Sequence, residues 1–184
     1  MEGERVVRIL GCDPGLAHVG YALLDGDALL DWGAIETDRD RGAIGDMQRR
    51  LEEVGRVLYP LIHRAELVVV EWPGGPGGKF GAVAAQQTSA CAGLVTGMAW
   101  GAGRKARAPA TITWRSRLGA KRGSDRQLHA WLAERYRSEL TGLRATGAPH
   151  VLDAIGLALY GQTFHSLDDD ARARALYPQS GDFQ

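Results

Sequence analysis

The sequence predicts one α/β domain in which a central five-stranded mixed sheet is flanked by helices. Three observations predict it. Short β-branched runs at 6–12 and 67–70 read as strands buried on both faces. From residue 47 onward, helical stretches alternate with further strands. Each of the two runs also leads into a carboxylate, Asp13 and Glu71, and ligands of open α/β folds bind at the rim where strands end.

Taken in order, residues 6–12 form the first strand and turn at Asp13-Pro14-Gly15. Residues 19–24 and 28–35 form the next two, with Asp25-Gly26 between them as the hairpin signal. Met47, Leu51, Val54, Leu58 and Leu61/Ile62 are spaced for an amphipathic helix over 47–62. A fourth strand, 67–70, ends on Glu71, and the Gly- and Pro-rich stretch 72–81 is a loop. Residues 82–100 are small and apolar, with Ser89, Gly93 and Gly97 recurring every four. Such a stripe lets a helix approach another backbone closely, either its own sheet or a second copy of the chain. Residues 104–108 read as a fifth strand, closed by Pro109. Then come a helical turn at 111–118, the basic loop 119–123, and a helix to about 140 that Ser124 can cap. Pro149, suited to the first helical position, starts a last helix over 150–164. The acidic tail 165–184 has no periodicity and is expected to be disordered. Residues 1–164 then constitute the folded domain.

At 184 residues, 45% apolar and 24% charged, the chain has the size and composition of a globular domain with a substantial core. No run approaches the roughly 18 apolar residues of a membrane span. The first residues lack a signal-peptide layout, so the cytoplasm is the expected location. Cys12 and Cys91 both lie in apolar segments, and two cysteines make neither a disulfide framework nor a zinc site.

The formal net charge is zero, but its distribution is uneven. Between Glu71 and Asp125 there is no acid, while Lys79, Arg104, Lys105, Arg107, Arg115, Arg117, Lys121 and Arg122 fall in that window. A segregated basic region can bind a polyanion, or it can be no more than a solvated face.

His150 and Asp153 lie three residues apart in the first turn of the last helix and share a face. If they converge with Asp13 and Glu71, the site is hard and oxygen-rich, which suits Mg²⁺ or Mn²⁺ and phosphodiester hydrolysis. Each residue also has a plainer role. Asp13 can serve the Pro-Gly turn, Glu71 can be solvated, Asp153 can complement the helix dipole, and His150 can satisfy a loop carbonyl.

The order of elements is that of an RNase H-like domain, and the residues are more specific. Ile9-Leu10-Gly11-Cys12-Asp13-Pro14-Gly15-Leu16 with Val19-Gly20-Tyr21-Ala22 resembles the opening strand and turn of RuvC-type Holliday-junction resolvases. Val68-Val69-Val70-Glu71 resembles their second acidic motif, and residues 149–158 resemble their C-terminal helix. The resemblance covers residues 6–164. It implies that Asp13, Glu71, His150 and Asp153 are catalytic and hold two Mg²⁺ ions, with Mn²⁺ as a substitute. Asp13 would be the bridging ligand, and His150 either a ligand or a proton shuttle, because many members carry an acid there.

It further implies a homodimer through the helix at 82–100, acting on four-way or branched DNA; a branch-migration motor as partner is not inferable. Family members commonly place an aromatic wedge after the second acid. Here glycines fill that place, leaving Phe80 beside Lys79 as the candidate. The other DNA contacts expected are Arg104, Lys105, Arg107, Arg115, Arg117, Lys121 and Arg122. The Trp-Arg-x-x-Leu-Gly layout at 114–119 is more similar to phage or prophage members. Three other readings compete: a general branched-DNA or flap nuclease of the same fold, a non-catalytic junction-binding protein, and a nucleotide-binding domain of the actin/sugar-kinase type. The chain is too short for the two lobes the last one needs.

Overall fold

The computed structural model describes residues 7–39, 45–73, 82–119 and 125–164. Its sheet contains β1 (Arg8–Pro14), β2 (His18–Asp25), β3 (Ala28–Glu36), β4 (Leu67–Val70) and β5 (Lys105–Arg107). They lie in the order β3-β2-β1-β4-β5. β1 is antiparallel to β2 and parallel to β4, and β4 is parallel to β5, so the sheet is mixed as expected. The β2–β3 hairpin turns through Gly26 at φ 55°, a left-handed conformation that glycine adopts without steric cost.

Five helices cover the sheet: α1 (Asp46–Arg64), α2 (Ala82–Gly101), α3 (Thr111–Arg117), α4 (Asp125–Arg135) and α5 (Ala148–Gln162). α1 and α2 close one face over Leu10, Cys12, Val19, Leu23, Val68 and Val70. α5, backed by α3 and α4, closes the other over Ile9, Ala22, Leu24, Leu67 and Val69. Two apolar layers on one sheet explain why β1 and β4 read as continuous apolar runs rather than alternating ones. None of the helices among the described residues is long and apolar enough to cross a membrane.

α4 stops at Arg135 rather than near residue 140, continuing as turns. The carbonyl of Glu139 accepts a 3.1 Å hydrogen bond from Trp32 Nε1 of β3, so a tertiary contact claims the backbone where the sequence alone suggests more helix. The small-residue stripe of α2 is split by function. Cys91, Ala92, Val95 and Ala99 are buried against the sheet, whereas Gly93, Gly97 and Gly101 have no atom within 4 Å of a Cβ built on them.

α5 lies directly on the backbone of β1 and β2. A Cβ on Gly11 would stand 2.0 Å from the Ala154 carbonyl oxygen, and one on Gly20 would stand 2.0 Å from that of His150. Both obstacles are backbone atoms, which no rotamer change relieves. Gly11→Ala is therefore expected to cost at least about 3 kcal/mol, beyond ordinary overpacking, and chemical denaturation would measure the loss.

Candidate active site

Strand parity selects the first two site residues. On β1, Ile9, Gly11 and Asp13 alternate with Leu10 and Cys12; on β4, Leu67 and Val69 alternate with Val68 and Val70. The Glu71 N–H donates to the Cys12 carbonyl at 3.0 Å, carrying the ladder one residue past β4. Asp13 and Glu71 thus leave neighbouring strands at the same rim, on the face that α5 covers. α5 brings His150 in its first turn, with Asp153 one turn further on.

Every carboxylate there already has a protein partner. Asp13 Oδ2 is 2.6 Å from His150 Nδ1, and the His18 ring stacks on His150 with centroids 5.6 Å apart. Glu71 accepts from Thr111 Oγ1 at 2.6 Å on one oxygen and from Trp114 Nε1 at 2.8 Å on the other. Asp153 accepts from Arg115 Nη2 at 3.0 and 2.9 Å and meets His129 Nε2 at 2.9 Å. Arg115 Nη1 in turn reaches Asp125 at 2.7 Å. Thr111, Trp114 and Arg115 belong to one face of α3 at helical spacing, and the parallel bridge between Trp72 and Ala110 sets that helix beside Glu71.

The charges feel one another. Burial pushes Glu71 up to about 7, against its Thr111 and Trp114 hydrogen bonds, with Asp13 and Asp153 adding to the rise. Burial likewise raises Asp13 against the His150 hydrogen bond. The Asp13 hydrogen bond raises His150, outweighing its burial. For Arg115, burial acts against the charge and is overcome by Asp153, Asp125 and Glu71. Crowded, desolvated carboxyls are chemically suited to a hard cation, which relieves their repulsion. Among the described residues, however, no three His, Cys, Asp or Glu side chains are arranged to chelate one ion as they stand. The donor chemistry fits a divalent ion, and loading one requires side chains to give up present partners.

The basic residues divide. Arg115 and the exposed Arg117 sit on α3 at the rim. Arg107 pairs with Val69, but its guanidinium lies 4.8 Å from the ring centre of Phe164, past the end of α5 opposite His150. Lys105 pairs with Leu67, four residues before Glu71, or about 13 Å down the strand at ~3.3 Å per residue. Arg104 donates to the His63 carbonyl at 2.8 Å, at the end of α1. The structure therefore does not bring Arg104 and Lys105 to the carboxylates. Lys79, Phe80, Lys121 and Arg122, like the tail 165–184, lie outside the described residues.

Sequence reasoning missed His129 and the paired roles of Thr111 and Trp114. Asp125 and His129 lie four apart on α4 and meet Arg115 and Asp153 respectively. Trp114 is fully buried and also holds Glu71.

No protein-family model matches the chain. It is 42% identical over 74 residues to the crossover junction endodeoxyribonuclease RuvC of Synechococcus sp. strain RCC307, covering 35% of this chain and 45% of that relative. To the RuvC of strain CC9605 it is 45% identical over 71 residues, or 35% and 44% of the two chains. The chain thus spans less than half the length of these curated relatives. Among solved structures it superposes on Thermus thermophilus RuvC in complex with a Holliday junction substrate (TM-score 0.65, 20% identity, 89% of this chain and 97% of that one). It also superposes on the yeast mitochondrial Holliday junction resolvase Ydc2 (TM-score 0.61, 11% identity, 92% and 85%). Its fold is RuvC-like. The RuvC-like, RNase H-like sheet expected from the sequence is the one observed, with RuvC homologues over part of the chain.

The position of Glu71 in this RuvC-like rim gives a pH signature. Its carboxyl rises from 4.5 to about 7 on folding, so between those values the folded state keeps a proton that the unfolded chain releases. Stability is full below pH 4.5, falls as the pH rises, and the loss is complete above about 7. In chelator-treated protein, Glu71→Gln should melt close to wild type near pH 4. Above pH 7 it should gain on the order of 2–3 kcal/mol; equal melting curves at pH 8 would contradict a burial penalty on Glu71.

Proposed function

We propose that the chain is a divalent-metal-dependent, structure-selective DNA endonuclease that resolves four-way junctions by paired, symmetric nicks. The observation that carries this reading is the meeting of Asp13, Glu71, His150 and Asp153 at one rim of a RuvC-like sheet, beside a helix bearing Arg115 and Arg117. In this reading Asp13, on the central strand, would hold the two Mg²⁺ or Mn²⁺ ions together with the other three residues. Glu71 and Asp153 each complete one ion's shell, and His150 is a ligand or a proton carrier beside Asp13. When bound, such a pair of ions supplies Lewis acidity at the attacking and leaving oxygens of an in-line displacement.

The chain's own residues do the rest. Thr111 and Trp114 fix the orientation of Glu71. The hydrogen bond to Asp13 and the stack with His18 set the His150 ring. Arg115 and Arg117 take backbone phosphates, contacts that position DNA without reading its sequence. Lys79, Phe80, Arg107, Lys121 and Arg122 belong to the same reading on sequence grounds alone, Phe80 as the wedge.

Paired cuts on a two-fold substrate call for a two-fold protein. The outward glycines of α2 support a homodimer there. Beside them runs an apolar groove of about 670 Å³ lined by Leu51, Gly55 and Tyr59 of α1 and Leu94 and Met98 of α2. Gly97→Arg, whose Cβ would meet no atom of the described residues within 4 Å, should leave the fold intact and halve the mass measured by light scattering.

The deciding experiment is cleavage of a labelled four-way junction beside duplex, flap and single-strand controls, with and without Mg²⁺. Wild type should give paired, metal-dependent, ligatable nicks. Asp13→Asn should lose at least ~10³-fold in rate, the several kcal/mol that metal catalysis supplies, while junction binding stays within a few-fold. Equal cutting of every branched form would make it a general branched-DNA nuclease. Tight binding without cutting in any metal would leave a non-catalytic junction-binding protein.

A further inference from the structure

We propose that Arg115 is a positioning residue that gates the site: it holds Asp153 until a DNA phosphate takes its guanidinium, so that divalent-metal loading depends on bound DNA. This rests on the metal-dependent nuclease reading above and adds a regulation to it.

The grip on Asp153 is close to complete. Its residue is 8% exposed, Arg115 Nη2 touches both its oxygens, and His129 meets Oδ1. A cation taking Asp153 as a ligand must displace at least part of this grip, and it meets a like charge in doing so. The grip is also not a saturated one. Among the described residues Arg115 Nε is buried without an acceptor, so one donor of the fork remains unused there. Its outer nitrogen pairs with Asp125, whose side chain is 56% exposed against 12% for Asp153. The guanidinium therefore spans from the buried ligand to the solvent edge where a polyanion arrives. A planar fork that binds carboxylate in this way binds a phosphate equally well.

The rest of α3 stays fixed while this happens. Trp114 is fully buried, and a Cβ on Gly156 of α5 would stand 2.6 Å from its ring. The helix is thereby pinned one turn beyond Asp153, and Thr111 and Trp114 keep hold of Glu71. Exchange of partners is left to the Arg115 side chain. Release toward phosphate frees Asp153 Oδ2, His129 keeping Oδ1, and at the same moment neutralises the cation that opposes an incoming metal ion. By linkage, DNA must then tighten metal binding by the factor with which metal tightens DNA binding.

The test measures binding, not cleavage. Mn²⁺ affinity of the full chain is read by electron paramagnetic resonance for wild type, Arg115→Met and Arg126→Met, the last removing an exposed charge beside Asp125. The same proteins are titrated with a four-way junction by fluorescence anisotropy, with and without Ca²⁺. Arg115→Met should bind Mn²⁺ about tenfold more tightly than wild type, within the usual range of coupling between sites, and Arg126→Met should match wild type. Ca²⁺ should tighten junction binding of wild type about tenfold and that of Arg115→Met distinctly less. If circular dichroism shows Arg115→Met unfolded, Arg115→Lys replaces it. That variant keeps the charge but cannot bridge Asp153 and Asp125, and should still bind Mn²⁺ at least about threefold more tightly. Unchanged Mn²⁺ affinity in the Arg115 variants, or an equal gain in Arg126→Met, overturns the gate and leaves the nuclease reading standing. No Mn²⁺ binding by any of the proteins, with or without DNA, overturns both.

Discussion

The contact on which the site depends is the seating of α5 on bare backbone. Gly11 of β1 and Gly20 of β2, the latter paired with Asp13, face the helix, and in each case the nearest heavy atom belongs to its main chain. Side chains at those positions would lift the helix off the sheet. His150 Nδ1 could then no longer reach Asp13 within 2.6 Å, because the imidazole is already close to that carboxylate with no length to spare. The same seating sets Gly156 against Trp114, and Trp114 is what orients Glu71. Three of the four site residues are therefore located by one helix-to-sheet approach, and the fourth, Glu71, through the tryptophan that packs on that helix.

Electrostatics runs against this geometry. Burial at the sheet rim raises a carboxyl's proton affinity and neighbouring carboxyls add to it, as Glu71 at about 7 shows. The chain meets the cost with separate devices: a protonatable imidazole for Asp13, two neutral donors for Glu71, and a guanidinium with an imidazole for Asp153. Each device suffices for folding and none removes the crowding. A site of this kind keeps a standing preference for added positive charge, and the preference is built from ordinary packing.

Much of this was legible in the sequence, for identifiable reasons. β-Branched runs, a two-residue hairpin signal and helical spacing are local, and they located all five strands and the sheet's mixed character. Asp13 and Glu71 stood out because a charge at the end of an apolar strand is costly unless used. The partners of those carboxylates were not legible. Thr111, Trp114 and His129 reach the site from α3 and α4 across 24 to 43 residues of sequence, and no local pattern marks a donor that far away. The length of α4 was overestimated for a related reason, since the Trp32 hydrogen bond to Glu139 spans 107 residues. Arg104 was legible as a cation but not by its place in the fold. Its charge matched the basic window, but its hydrogen bond to the His63 carbonyl ties it to the far end of the sheet.

The segregation of charge along the chain now has a structural sense beyond attraction of a polyanion. Asp13 and Glu71 precede the acid-free window, Asp125 and Asp153 follow it, and α3 lies inside it. Folding brings the two acidic flanks together around the basic middle, so Arg115 first meets carboxylates of its own chain. Had acids been interspersed through 72–124, each cation there could have paired locally, as Arg49 does with Asp46 and Glu53 on α1. Local pairing of that kind is indifferent to what happens at the sheet rim. A guanidinium whose nearest anions are a buried carboxylate on one side and an exposed aspartate on the other is different. Its equilibrium position depends on every anion that reaches the rim, and a nucleic-acid backbone brings the highest density of them.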